Sequence, residues 1–330
     1  MRYALIGCGR ISPNHIVAAQ KNNLEIVAIC DLEEHNMKDK RLKFKLPDTV
    51  HSYLDYKEML AKEKPELVAI ATESGKHAQI ALDCMTLGHA NLIIEKPIAL
   101  SLSDADRIIE TARQQNLKVC ACHQNRFNKS IQKIREAVEM ERFGRMFHGT
   151  AHIRWARDYE YYSRAKWRGT WEQDGGALMN QCIHNIDLLR WMMGDDVEEI
   201  YGVTRQRFHD YLECEDIGLA VVKFRNGAIG TIEGTTNVYP KNLEETLYLF
   251  GENGTVKLGG KSTNHIDVWD FADQREGDAQ TRGLQEAACN VYGNGHTALY
   301  QDMIEAIEQG RPPYVGAEAG RNALEMVLAV

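Results

Sequence analysis

Short, unbroken apolar runs alternate with segments of helical spacing through the first third of the chain. Tyr3-Ala4-Leu5-Ile6, Ile26-Val27-Ala28-Ile29-Cys30, Leu67-Val68-Ala69-Ile70-Ala71, Leu92-Ile93-Ile94 and Val119-Cys120-Ala121-Cys122 are apolar on consecutive residues. That is the pattern of strands covered on both faces. Between them, residues 77–87 and 103–114 carry apolar positions at helical spacing. The alternation predicts an α/β domain with a doubly wound parallel sheet over residues 1–122. The pattern then changes. A helix over 129–140 is followed by longer strand-like runs at 147–156, 199–206, 218–224, 228–234 and 246–250, with Arg225-Asn226-Gly227 as a hairpin turn. Strands in succession, without intervening helices, predict an α+β domain with a large, mostly antiparallel sheet over residues 123–330. The closing helical run at 317–330 has no capping glycine, which leaves open whether the chain continues.

One helix in the second part carries more than packing. Residues 177–193 are helical by spacing, with Gly194 as the stop. Leu178, Met179, Cys182, Ile183, Ile186, Leu189 and Met193 make its apolar face, and Asn180, His184, Asp187 and Trp191 form a second stripe. A solvated polar face is the ordinary reading of such a stripe. Trp191 is a poor solvent residue, however, and Gly175-Gly176 just before the helix permits close approach of a backbone or a ligand. A histidine with an orienting side chain one turn away suits acid/base chemistry near neutral pH.

The first strand leads into Gly7-Cys8-Gly9-Arg10-Ile11-Ser12 and then a helical stretch through His15, Ile16, Ala18 and Ala19. Two glycines after a strand permit a tight turn and bring backbone close to a pyrophosphate resting on the helix N-terminus. Ser12 stands where a third glycine would complete the fingerprint. The second strand ends at Asp31, about 20 residues on, where a carboxylate accepts ribose hydroxyls and repels a 2′-phosphate. This favours NAD over NADP, moderated by Lys38, Lys40 and Arg41 downstream. At the end of a later strand stands Glu95-Lys96-Pro97. Ligands of open parallel sheets lie beyond the carboxyl ends of the strands, so Lys96 is expected to face cofactor and substrate.

Composition narrows the partners. The 330 residues carry a formal net charge of -8, which argues against nucleic acid or an anionic membrane as partner. No run approaches the length of a spanning helix and the N-terminus is already used as a strand, so a cytoplasmic protein is expected. The eight cysteines are scattered: Cys8, Cys30, Cys84, Cys182, Cys214 and Cys289 stand alone, and Cys120-Ala121-Cys122 lacks ligand spacing. They read as reduced core thiols. His15, His51, His77, His89 and His265 read as structural or exposed, no metal site is expected, and Asp195-Asp196 reads as loop charge.

Gly7-Cys8-Gly9-Arg10-Ile11, Glu95-Lys96-Pro97, Gln124-Asn125-Arg126-Phe127 and Gly175-Gly176 leading to His184 and Asp187 together resemble the glucose-fructose oxidoreductase/inositol dehydrogenase (Gfo/Idh/MocA) family over essentially the whole chain. Trp167-Arg168-Gly169-Thr170-Trp171, Ala177-Leu178-Met179-Asn180-Gln181 and Tyr292-Gly293-Asn294-Gly295-His296 resemble the branch that oxidises UDP-N-acetylglucosaminuronic acid at C3 in bacterial surface-sugar synthesis. The resemblance implies an NAD-dependent Rossmann enzyme in which Gly7, Gly9, Arg10 and Ile11 contact the pyrophosphate and Asp31 the ribose. Thr72, Glu95 and Asn125 would contact the rest of the dinucleotide, and Lys96 and His184 would flank the reacting hydroxyl. It also points to a homotetramer formed through the second-domain sheet. Whether NADH leaves after each turnover or is reoxidised in place by 2-oxoglutarate stays open.

Inositol-type relatives carry aspartate where this chain has Asn180. An amide can bond His184 or a sugar hydroxyl but cannot take the proton, so the base is Lys96 or His184. Lys96 would need surroundings that favour the neutral amine, and His184 needs less tuning. The segment 158–171 gathers Tyr159, Tyr161, Tyr162, Arg164, Lys166, Trp167, Arg168 and Trp171 in an acidic protein. It reads either as aromatics packed on a neighbouring helix or as a nucleotide-sugar clamp, with the Arg168 fork on a carboxylate or diphosphate. The rival functions are an inositol or free-sugar dehydrogenase of the same family and a non-catalytic NAD or sugar sensor.

Overall fold

The computed structural model describes residues 1–194, 196–260, 263–286 and 293–330. Asp195, Cys289 and Tyr292 lie outside the described residues. The chain divides into two compact units, one of Met1–His123 with His296–Arg321 and one of Gln124–Gly295 with Asn322–Val330. The helix His296–Gln309 therefore belongs with the first unit although it comes late in the sequence. It packs against the helix Ser12–Lys21.

In the first unit, the strands β1 (Arg2–Ile6), β2 (Glu25–Cys30), β3 (His51–Tyr53), β4 (Leu67–Ile70), β5 (Asn91–Ile94) and β6 (Val119–Ala121) form a parallel sheet in the order β3-β2-β1-β4-β5-β6. This is the expected doubly wound arrangement. Strand order reverses between β1 and β4, and the crevice at that switch point is where such sheets take ligands. Tyr3, Leu5, Ile29, Leu67, Ile70 and Ile93 are buried in the sheet, as their unbroken apolar runs required.

The second unit holds β7 (Met146–Arg154), β8 (Val197–Arg205), β9 (Ile217–Phe224), β10 (Ile229–Thr235), β11 (Glu244–Gly251), β12 (Gly254–Gly259) and β13 (His265–Phe271), in the order β13-β12-β11-β7-β10-β9-β8. Every pair is antiparallel except β7 with β10. Gly227 turns the β9–β10 hairpin with φ of +87°. The helix Ile183–Met193 lies across β7, β10 and β11. On β8 to β10 the opposite face leaves Tyr201, Leu219, Val221 and Ile229 exposed.

One helix differs from expectation. Residues 177–193 are not one continuous α-helix: Leu178–Cys182 is a π-helical turn that passes into the α-helix Ile183–Met193. Its apolar residues Leu178, Met179, Cys182 and Ile183 are buried all the same. The wider π turn changes the registry between Asn180 and His184, and such bulges gather at functional sites.

Candidate active site

At the end of β1 the chain turns at Gly7, with φ of +95°, where a Cβ would stand 2.4 Å from the Ala71 carbonyl oxygen. Only glycine fits there, and the contact joins the loops after β1 and β4 at the switch point. Gly9 differs: a Cβ there would meet nothing within 4 Å, and both it and Arg10 are exposed. The backbone is thus open on the side where a pyrophosphate would approach. Ser12 is buried and donates from Oγ to the Gly9 carbonyl at 2.7 Å, so a serine at the third position closes the turn with its own hydroxyl.

Asp31 Oδ2 accepts the Cys8 N–H at 2.7 Å, and Oδ1 accepts from the Glu33 N–H and Asn36 Nδ2. This fixes a half-buried carboxylate with lone pairs remaining for a diol. The basic residues nearby are engaged elsewhere: Lys38 with Glu34, Lys40 with Asp39, and Arg41 with the Val50 and Pro47 carbonyls. The surroundings favour an unphosphorylated ribose.

Beyond β5, Lys96 is half-buried, but Glu95 is 6% exposed and turns its carboxylate inward toward His15 and His296. Thr72 is half-buried, and its carbonyl lies 3.1 Å from His77 Nε2. The other nitrogen of His77 lies 2.7 Å from the Pro97 carbonyl.

In the second unit, Gln124 donates to His184 Nε2 at 3.4 Å and to Asn125 Oδ1 at 3.3 Å. Asn180 donates to Asp174, whose other oxygen accepts the Gly169 N–H at 2.7 Å. Asp187, expected on the open stripe, is instead buried in a two-pronged pair with Arg126: Nε to Oδ2 at 2.8 Å and Nη2 to Oδ1 at 2.6 Å. Trp191 packs against the guanidinium groups of Arg126 and Arg135, 4.5 and 4.8 Å from its ring centre. Structural packing accounts for both residues. Arg168 Nη1 donates to the Tyr161 carbonyl at 2.5 Å while the guanidinium lies 4.3 Å from the Tyr161 ring centre. Tyr162 is buried and bonds Thr236, so much of the aromatic loop packs as structure.

A family model described as the oxidoreductase family, NAD-binding Rossmann fold, matches residues 1–123, and the GFO/IDH/MocA C-terminal domain matches residues 131–257. The chain belongs to the Gfo/Idh/MocA oxidoreductases. The WlbA dehydrogenase from Bordetella pertussis, solved with NADH and UDP-GlcNAcA, is similar with a TM-score of 0.89 and 34% identity, covering 100% of this chain and 94% of that one. The WlbA dehydrogenase from Chromobacterium violaceum, with the same ligands, is 32% identical with a TM-score of 0.89, covering 100% and 92%. Myo-inositol 2-dehydrogenase from Thermotoga maritima is 24% identical over 98% of this chain and 93% of its own length. The protein is an NAD-dependent sugar dehydrogenase.

Three features of this Gfo/Idh/MocA enzyme escaped sequence reasoning. Gln124 links Asn125 to His184. Arg126 takes up Asp187. His15, Glu95, Cys122 and His296 bring ligand-type atoms within 4.8 Å of one another, in full burial. No spacing rule finds the last set, because the residues come from four separate segments. The Cys8, Cys30, Cys84 and Cys120 thiols are free and raised by burial, as core thiols are.

Glu215 shapes the start of the π turn. Its Oε1 accepts the Leu178 N–H at 2.9 Å, and a Cβ on Gly176 would fall 2.0 Å from its Oε2. Burial raises this carboxyl from 4.5 to about 7, against the Leu178 hydrogen bond. The folded state therefore holds the proton more tightly than the unfolded chain. The favourable contribution is full below pH 4.5 and fades as pH rises toward 7, by about 3 kcal/mol in all. Glu215→Gln is expected to lessen the fall in denaturation midpoint between pH 5 and pH 8, leaving the part due to Glu245, which burial raises to about 8. A midpoint with unchanged pH dependence removes Glu215 as its source.

Proposed function

We propose that the enzyme oxidises the C3 hydroxyl of UDP-N-acetylglucosaminuronic acid to the 3-keto sugar with NAD, in the cytoplasm, for bacterial surface polysaccharide. The observation that carries this reading is the full-length likeness, at 34% and 32% identity, to two WlbA dehydrogenases solved with NADH and UDP-GlcNAcA. Bound NAD would supply the hydride acceptor for C3. Gly7, Gly9, Arg10 and Ile11 would hold its pyrophosphate, Asp31 its ribose, and Thr72 and Asn125 the remainder. The hydroxyl proton passes to Lys96 or His184, while Asn180, oriented by Asp174, offers its amide to the sugar. Gln124 Nε2 lies 3.4 Å from His184 Nε2, within reach to orient the ring.

Arg168 is the anion site of this reading. Its Nε is buried without a hydrogen-bond partner, a donor left for a ligand oxygen. Purified enzyme is expected to reduce NAD with UDP-N-acetylglucosaminuronate and poorly with myo-inositol; the reverse order makes it an inositol dehydrogenase. Arg168→Leu is expected to cost about 2 to 5 kcal/mol of sugar binding with NAD affinity unchanged. Lost discrimination against UDP-N-acetylglucosamine places Arg168 at the carboxylate, and equal loss for both sugars places it at the diphosphate. Binding like wild type returns the loop to a purely structural role.

The exposed apolar face of Tyr201, Leu219, Val221 and Ile229 is the surface on which we expect a homotetramer to form. Val221→Glu is expected to lower the mass found by light scattering. Unchanged assembly removes this face from the interface.

A further inference from the structure

The first unit buries a line of polar groups that the reading above does not use. Tyr3 Oη lies 2.9 Å from Tyr300 Oη, and Tyr300 Oη lies 2.7 Å from His15 Nδ1. His15 Nε2 is 3.0 Å from Glu95 Oε1, and His296 Nε2 approaches the same oxygen at 3.5 Å. Glu95 Oε2 accepts the Lys96 main-chain N–H at 3.2 Å. Tyr3, His15 and Tyr300 are wholly buried, and His296 is 4% exposed.

Hydrogen-bond chemistry gives this line a direction. A carboxylate only accepts, so His15 donates from Nε2; as a neutral ring it accepts at Nδ1 from the Tyr300 hydroxyl, which in turn accepts from Tyr3. Each donor points toward Glu95. Burial alone would raise the Glu95 carboxyl, but the hydrogen bond from His15 and the close approach of His296 outweigh it and hold it well below the usual range. Cys8, His77, Cys122 and the Lys96 amine are further ionisable groups that interact with members of this cluster. A buried carboxylate is costly unless fully paired, and the main-chain group that its second oxygen takes is the amide of Lys96. On the other side of the same tripeptide, His77 lies against the Pro97 carbonyl.

We infer that Tyr3, Tyr300, His15, His296 and Glu95 form a positioning network that fixes the backbone of Lys96, with Glu95 as the link. Glu95 is then a positioning residue rather than a dinucleotide contact. The same four His, Glu and Cys side chains could be read as a metal centre, but both His15 nitrogens already face hydrogen-bond partners. The functional consequence rests on the proposed role of Lys96 in proton transfer, whereas the anchoring of its amide does not.

The test uses Glu95→Gln, with Tyr300→Phe as a second variant should the first not fold. Hydrogen exchange by mass spectrometry on the peptide containing Lys96 reads the anchoring without any substrate. Protection there is expected to fall about tenfold or more in both variants while the rest of the first unit keeps its protection. Turnover is expected to fall about 10- to 100-fold, with KM for NAD and the melting midpoint nearly unchanged, because a misplaced group costs rate rather than binding. Unchanged exchange in Glu95→Gln overturns the network whatever the activity. Raised exchange with wild-type turnover, in an enzyme that Lys96→Met inactivates, overturns its functional consequence. Raised exchange in an enzyme that tolerates Lys96→Met leaves the anchor standing and defeats the catalytic reading of Lys96 instead. Stoichiometric metal in the purified protein, lost together with NAD-independent stability on chelation, makes the cluster a metal centre and overturns the proposal.

Discussion

Lys96→Met is expected to bind NAD nearly as wild type does and to lose turnover by roughly 10² to 10⁴. Methionine keeps the length and flexibility of the lysine stem, so the half-buried position remains filled and only the amine is lost. The loss should appear in kcat and in kcat/KM alike, the signature of an interaction made in the transition state. Cofactor titration followed by single-turnover kinetics separates this from weakened binding. Substantial retained turnover removes Lys96 from the mechanism. His184→Asn then decides between the two candidate bases: if His184 is the base, the acid limb of the kcat profile disappears with it, and if Lys96 is, the limb persists at reduced rate.

That Lys96 stood out in the sequence follows from its local context. β5 is a short apolar strand buried at Leu92, Ile93 and Ile94, and proline follows the lysine, so the strand end was legible from adjacent residues. The same holds for Gly7, Gly9 and Asp31, whose spacing is set by one strand-turn-helix-strand unit. Segments without an apolar rhythm were harder. The helix Glu34–Phe44 buries only Met37 of its length, and β3 is three residues with no fully buried position. Neither offers a periodic signal, because neighbouring elements rather than their own apolar faces hold them in place. β12 and β13 were missed although they bury Val256, Leu258, Ile266 and Trp269, since glycines and charges interrupt their alternation.

Errors about side-chain roles have a different origin. Trp191 suggested a ligand because nothing near it in sequence explains an indole on a polar stripe; its partners, Arg126 and Arg135, come from 65 and 56 positions upstream. The Glu95 network is the same problem in a more extended form. His15, Glu95, His296 and Tyr300 meet because the helix His296–Gln309 returns to the first unit, and no local pattern announces that return. The π turn at Leu178–Cys182 was hidden for a third reason: the apolar residues that bury an α-helix here bury a π turn equally well, so hydrophobic spacing does not tell the two apart.

Arg126→Leu is expected to destabilise the second unit by roughly 3 to 5 kcal/mol, because it strands the Asp187 charge in the interior. The side chains are 8% and 2% exposed, and the guanidinium Nε and Nη2 each donate to one carboxylate oxygen. Trp191 would also lose one of its two covering guanidinium groups. Asp187→Leu alone is expected to be similarly damaging, for it leaves the arginine buried without its counter-ion. The double variant Arg126→Leu/Asp187→Leu is the decisive measurement. Apolar side chains can replace a buried pair with little loss, so most of the stability should return, and urea midpoints of the four proteins give the coupling directly. The catalytic side offers a second readout, since Gln124, two residues before Arg126, donates to His184. If the pair serves only the core, the double variant regains turnover together with stability. Stability regained with turnover still depressed would mean that the charge pair also sets the position of Gln124, and through it the orientation of His184.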